Sequence, residues 1–188
     1  MTRSAWDAVL LDRDGTLTVP VAVGEYVLAP DDLVLLPGAG DAVSRLCDAG
    51  IAVFVVTNQR AVHLGLLSPA QLDAVHDRLR LLLRRFGGEL ADVLVCPHGH
   101  DACDCRKPAD GLLRRVFGEH PGLDPRRSAI VGDSVSDVRA GDALGLTRVL
   151  LGKPEQVPHD QGVEILAVDL AAAVDRLLDA PVPRRTNP

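Results

Sequence analysis

The chain is predicted to fold as an α/β protein, a Rossmann-like parallel sheet with helices on both faces and no large cap domain. Short apolar runs alternate with longer stretches of helical period, the pattern of βα units around a parallel sheet. Several of those runs stop at polar residues, where open parallel sheets carry their chemistry. The length, 188 residues, suits one domain with its own core.

Residues 8–11 read as a buried first strand and 52–56 as a second, both short, apolar and closed by polar residues. Between them a helix follows Pro37-Gly38, carries Val43, Leu46 and Cys47 on one face, and ends at Gly50. Cys47 is read as core. The next helix opens at Ser68-Pro69-Ala70-Gln71, where Ser can cap, Pro suits the first turn and Gln can reach back. Its predicted apolar stripe is Leu72, Val75, Leu79, Leu82 and Phe86, and Gly87-Gly88 stops it. A strand at 92–96, a helix around 112–117, a Pro-rich turn at 121–125 and a strand at 128–131 follow. A helix around 135–144, a strand at 148–151 and a helix near 170–178 complete the pattern. Residues 1–179 are read as a single domain and 180–188 as a flexible tail.

Apolar residues make up 47% and charged residues 24%, the composition of a folded globular chain. The net charge is −6, the wrong sign for a protein that holds nucleic acid by its phosphates. No run approaches the length of a membrane span, and the amino end lacks the apolar core of a signal peptide. A cytoplasmic monomer without nucleic-acid or membrane partners is expected. Of the 20 basic residues only Lys107 and Lys153 are lysines, so each draws notice.

The polar residues after the strands carry the chemistry. After 8–11 comes Asp12-Arg13-Asp14-Gly15-Thr16-Leu17; alternate spacing sends both carboxylates the same way, and Gly15 permits a sharp turn. A calcium loop is the plain alternative, but it needs Gly at its sixth position and Glu at its twelfth, where this chain has Leu17 and Val23 counted from Asp12. After 52–56 comes Thr57-Asn58-Gln59. After 128–131 comes Gly132-Asp133-Ser134-Val135-Ser136-Asp137, a carboxylate at a strand end and another opening a helix, where Asp137 can cap.

Three of the four cysteines cluster. Cys96-Pro97-His98 and Cys103-Asp104-Cys105 form C-x-H-x4-C-x-C, a donor set suited to a closed tetrahedral Zn2+ site, with His100 as the alternative to His98. A Cys103–Cys105 disulfide would close a very small strained ring. Because Cys105 runs directly into Arg106-Lys107-Pro108, zinc is expected to fix the loop that aims Lys107.

The ordered set Asp12-x-Asp14-Gly15-Thr16, Thr57, Lys107 and Gly132-Asp133-x-x-x-Asp137 resembles the haloacid dehalogenase superfamily of aspartate-nucleophile phosphatases, from Asp12 to Asp137. The resemblance implies that Asp12 attacks phosphorus to form an aspartyl-phosphate, while Asp14 protonates the leaving alkoxide and then activates water. It implies Mg2+ on the Asp12 carboxylate, the Asp14 carbonyl and Asp133, with Thr57 and Lys107 holding the phosphoryl oxygens and Asp137 orienting its neighbours.

The string C-x-H…C-x-C-R-K-P is similar to that of the D-glycero-D-manno-heptose bisphosphate phosphatases and related histidinol phosphatase domains, in which the residue matching Arg106 contacts phosphate. The implied function is Mg2+-dependent hydrolysis of the 7-phosphate of a heptose 1,7-bisphosphate in nucleotide-heptose synthesis, on a small phosphorylated sugar. Histidinol-phosphate hydrolysis and a non-catalytic phosphate-binding module are the alternatives. Substrate contacts are expected from Arg13, Asn58, Gln59, Arg60 and Arg106, carried on the loops 18–30, 60–67 and 96–105. The chain departs from its relatives at Arg60-Ala61-Val62-His63-Leu64-Gly65, where they read Ser-Gly-Ile-Ala-Arg-Gly, and at Ser134, where they place a basic residue.

Overall fold

A computed structural model describes residues 5–22, 25–100, 103–153 and 162–179. Six parallel strands form one sheet: β1 Ala8–Leu11, β2 Ala52–Asn58, β3 Asp92–Cys96, β4 Ser128–Gly132, β5 Thr147–Leu151 and β6 Ile165–Ala167. Their order is β3-β2-β1-β4-β5-β6, with β1 central. The register pairs Leu11 with Val55 on one side and Val131 on the other, so the ends of β1, β2 and β4 lie together. The switch in strand order falls at β1, where a doubly wound sheet opens a crevice for ligands.

Strand alternation sorts the core into two layers. Val9, Leu11, Val53, Val55, Ala129 and Val131 face a core shared with α1 Ala39–Asp48, α3 Pro69–Arg84 and α6 Leu170–Asp179. Leu10, Phe54, Val56 and Ile130 face the opposite layer with α4 Gly111–Glu119 and Ala140 of α5 Val135–Ala140. Both faces are thus covered, which is why the central strands read as continuous apolar runs.

Several boundaries differ from the expectation. Strand β2 runs two residues further, because Thr57 and Asn58 pair with Val95 and Cys96. The Ser68 capping box forms, with Gln71 N–H donating to Ser68 Oγ at 3.3 Å and Ser68 N–H to Gln71 Oε1 at 2.9 Å. Helix α3 ends at Arg84, so Phe86 lies beyond it, 47% exposed, and the buried stripe is Leu72, Val75, His76, Leu79 and Leu83. Leu83 takes the place predicted for Leu82, which is only partly buried. Helix α5 stops at Ala140 and turns replace the predicted continuation to 144. Strand β6 and the single-turn α2 Arg60–His63 are too short to announce themselves by period.

The chain between β1 and α1 holds one 3-10 turn, Pro30–Asp32, and no second sheet among its described residues. No described helix is long and apolar enough to cross a membrane. The expected tail, 180–188, lies outside the described residues.

Candidate active site

Asp12 follows β1 directly, and its N–H donates to Val131 O of β4 at 2.9 Å, which carries strand pairing into the site. The next residues fold back on themselves: the N–H groups of Leu17 and Thr18 both donate to the Arg13 carbonyl at 2.9 Å, and Thr18 Oγ1 joins them at 3.1 Å. Gly15 has φ +87°, and a Cβ there would overlap the Asp133 carboxylate, so only glycine gives both the turn and the approach of Asp133.

Lys107 is 4% exposed and bridges two carboxylates, Nζ lying 2.6 Å from both Asp12 Oδ1 and Asp137 Oδ1. Burial lowers its proton affinity, but the Asp12 and Asp137 carboxylates outweigh burial and raise it above the ordinary lysine value. Burial pushes the Asp12 carboxyl up to about 7; Lys107 opposes this, and Asp137 adds to it. Asp133 faces the open side, yet the surrounding protein and the Asp137 charge raise it to about 6.

Carboxylate oxygens of Asp12, Asp133 and Asp137 all lie within 4.8 Å of one another. This all-oxygen, anionic cluster fits a hard cation such as Mg2+. Asp137 Oδ2 accepts from Ser134 N–H at 3.0 Å and Ser134 Oγ at 2.8 Å, capping α5, while Oδ1 takes Lys107. Both oxygens are thereby engaged, leaving Asp12 and Asp133 as the carboxylates turned to a cation. Asp137 orients Lys107 and caps its helix at once, which joins the two readings its position in the sequence allowed.

A second network lies behind Asp14. Arg13 is 1% exposed and forks onto Asp14 through Nε to Oδ1 at 3.0 Å and Nη2 to Oδ2 at 2.8 Å. Nη2 also donates to Gln59 Oε1 at 3.0 Å, and Nη1 lies 3.3 Å from His76 Nε2. Gln59 Nε2 donates to Asp14 Oδ2 at 2.9 Å and Thr57 Oγ1 at 2.8 Å, and Thr18 Oγ1 donates to Asp14 Oδ1 at 3.1 Å. Burial would raise the Asp14 carboxyl, but the Arg13 guanidinium and these hydrogen bonds hold it below its ordinary value.

Three of the five expected substrate contacts spend their polar groups on other residues of the chain. Arg13 and Gln59 are buried with their polar ends on Asp14. Asn58 grips the backbone of Lys107 instead. Arg60 opens α2, and Arg106 sits half-buried beside the cysteine loop with Nη1 3.4 Å from His98 O. The His63 ring of α2 lies against Gly99, joining α2 to that loop.

In the cysteine loop, successive separations are 3.5 Å for Cys96–Cys103, 3.2 Å for Cys103–Cys105, 3.2 Å for Cys105–His98 Nδ1 and 3.7 Å for His98 Nδ1–Cys96. Zn–S bonds of about 2.3 Å in a tetrahedron give edges of about 3.7 Å, so the donors are spaced for one Zn2+ with slight expansion. All three thiols are free, and His98, not His100, completes the group. Burial and the neighbouring Cys103 and Cys96 push Cys105 up to about 12, burial raises Cys96, and hydrogen bonds from Cys105 and Cys96 lower Cys103 to about 7, so a bound cation would have to displace the proton of Cys105 above all. The loop seats on α4, where a Cβ at Gly111 would overlap the backbone of Asp104 and Cys105.

Sequence reading missed His76, whose signal was a lone histidine among the leucines and valines of the α3 stripe, and the Asn58 grip, which nothing in the sequence announces.

Residues 104–173 match the HAD-hydrolase-like family model. Over 176 residues the chain is 39% identical to the D-glycero-beta-D-manno-heptose-1,7-bisphosphate 7-phosphatase of Pseudomonas aeruginosa, covering 90% of this chain and 97% of that one. Over 131 residues it is 39% identical to the corresponding alpha-heptose phosphatase of Mycobacterium tuberculosis, covering 69% and 68%. The crystal structure of the D,D-heptose 1,7-bisphosphate phosphatase from B. bronchiseptica, complexed with magnesium and phosphate, superposes with a TM-score of 0.82 at 32% identity, over 92% of this chain and 98% of that one. With two thirds or more of each chain aligned at over 30% identity, the chain belongs to the family of these phosphatases within the haloacid-dehalogenase-like hydrolases.

Proposed function

We propose that this protein is a Mg2+-dependent phosphoric monoester hydrolase that removes the 7-phosphate of D-glycero-D-manno-heptose 1,7-bisphosphate through an aspartyl-phosphate on Asp12, a step of nucleotide-heptose synthesis. The observation that carries the reading is Lys107 Nζ, buried 2.6 Å from Asp12 with Asp133 alongside: a carboxylate, a cation and a metal-ready oxygen pair at one sheet edge.

In this reading Asp12 attacks phosphorus in line, forming an O–P bond as the bond to the sugar oxygen breaks. Mg2+ on Asp12 and Asp133 supplies the charge that lets a carboxylate meet a dianionic phosphate. Lys107 and Thr57 hold the equatorial oxygens, where most stabilisation of phosphoryl transfer arises. Asp14 serves both half-reactions. Gripped by Arg13 it rests ionised, as the base that activates water must; a phosphate dianion alongside raises its proton affinity, which readies it to protonate the leaving alkoxide. Arg13, Gln59 and Asn58 are positioning residues. Arg60 and Arg106 are assigned to the far phosphate, and zinc on Cys96, His98, Cys103 and Cys105 holds the Arg106-Lys107 segment.

The test is phosphate release, with Mg2+, from the alpha and beta heptose 1,7-bisphosphates, fructose 1,6-bisphosphate and histidinol phosphate. A heptose bisphosphate should give the highest kcat/KM. Preference for histidinol phosphate, or no turnover of any, overturns the reading.

A further inference from the structure

Arg13 carries donors and no acceptor. Its Nη1 lies 3.3 Å from His76 Nε2, deep between β1 and α3, so that nitrogen must present a lone pair and the ring must carry its proton on Nδ1. Both partners are buried, and every nitrogen of the guanidinium has a defined acceptor: Nε and Nη2 on Asp14, Nη2 also on Gln59, Nη1 on His76. The fork onto Asp14 needs one rotation of a long side chain, and His76 is the acceptor that fixes its far corner. A buried donor left without an acceptor seeks another, and a guanidinium that turns to find one moves its Nε and Nη2 bonds to Asp14 with it.

We propose that His76 is a positioning residue for the reaction, acting through Arg13 to aim the Asp14 carboxylate. The inference rests on the proposed phosphatase mechanism, in which Asp14 moves the protons. The charged groups around the ring agree with a neutral acceptor: burial first, then Arg13, with Arg80 adding and Asp14 opposing, together lower the imidazole to about 4. Helix α3 delivers the ring because position 76 falls on its buried face, four residues from Leu72 and three from Leu79.

An effect on proton transfer is read by the leaving group. Sugar alkoxides need a proton as the P–O bond breaks, whereas p-nitrophenolate leaves with little help. The experiment measures first-turnover release of the alcohol or phenol from a heptose bisphosphate and from p-nitrophenyl phosphate. Wild type is compared with His76→Leu, His76→Phe, which keeps a ring without an acceptor, and His76→Gln, which keeps an acceptor oxygen. The Leu and Phe variants should lose about 10-fold or more on the sugar phosphate and within about 3-fold on the aryl phosphate, a fraction of the 10²–10⁴ that general acid catalysis supplies. His76→Gln should recover most of the loss. The nitrogen NMR spectrum of the wild type should show the Nδ1–H tautomer, a reading that needs no variant to fold. Equal losses on both substrates, no loss on either, or an Nε2–H tautomer would overturn the proposal. A wild type inactive on both overturns the phosphatase reading and the proposal with it, an outcome distinct from an active wild type whose variants lose both substrates alike.

Discussion

The side-chain amide of Asn58 holds the backbone of Lys107 from both sides: its Oδ1 accepts the Lys107 N–H at 3.1 Å, and its Nδ2 donates to the Lys107 carbonyl at 3.1 Å. The last residue of β2 thereby fixes the main chain that carries the buried cation, forty-nine residues away. Asn58→Ala removes both bonds and leaves backbone groups unpaired, at about 1–3 kcal/mol each if they stay dry. We expect kcat/KM to fall roughly 10- to 100-fold, with weaker inhibition by inorganic phosphate. Unchanged kinetics would show that Lys107 needs no such grip.

Asp12 and Asp14 separate the two halves of the reaction. Asp12→Asn should abolish turnover while the circular dichroism spectrum stays native, and thermal stability without metal should not drop, since one of three crowded carboxylates is gone. Asp14→Asn should slow both release of the sugar and hydrolysis of the phosphoenzyme. Normal phosphate release by the Asp12 variant contradicts its role as nucleophile.

Protons compete with the cation for its ligands. Burial sets Asp12 at about 7, and its surroundings set Asp133 at about 6, so both are increasingly protonated as pH falls below neutral. Affinity for Mg2+, followed by calorimetry, should therefore rise from pH 5.5 to 8, the direction in which the unbound site sheds protons. A flat profile excludes these carboxylates as the coupled groups.

The cysteine loop should matter to Lys107 more than to the cation. Cys105→Ser, verified zinc-free by metal analysis, should lose activity while Mg2+ affinity changes little, because Asp12 and Asp133 follow β1 and β4 and not the loop. Full activity of the zinc-free protein would break the link between loop and lysine.

His76 also predicts the acid limb of stability. Its imidazole sits at about 4 in the fold against an ordinary 6.5, so the unfolded chain binds more protons between those values. The contribution is complete above about pH 6.5 and lost as pH falls toward 4, about 3 kcal/mol in all at 1.36 kcal/mol per unit. Denaturant titrations at pH 7 and 4.5 should show a smaller pH difference for His76→Gln than for wild type.

The sequence by itself determined the sheet, its central strands and the ends where chemistry collects. Apolar period, capping residues and glycine stops are local signals, and the alternation in β1, β2 and β4 leaves few ways to bury both faces. It also marked out the groups proposed to react, Asp12, Asp14, Asp133 and Lys107, and the Cys/His set that fits zinc, whose types and spacing follow from that chemistry. Only the tertiary structure decided what Arg13, Asn58, Gln59 and His76 do. A polar residue beside a reactive one reads the same whether it faces ligand or core, and the choice is made by burial. Residues 46, 49 and 63 positions apart meet here because parallel strands and a packed helix converge on β1, and a buried guanidinium or amide must find its partners wherever the fold has put them.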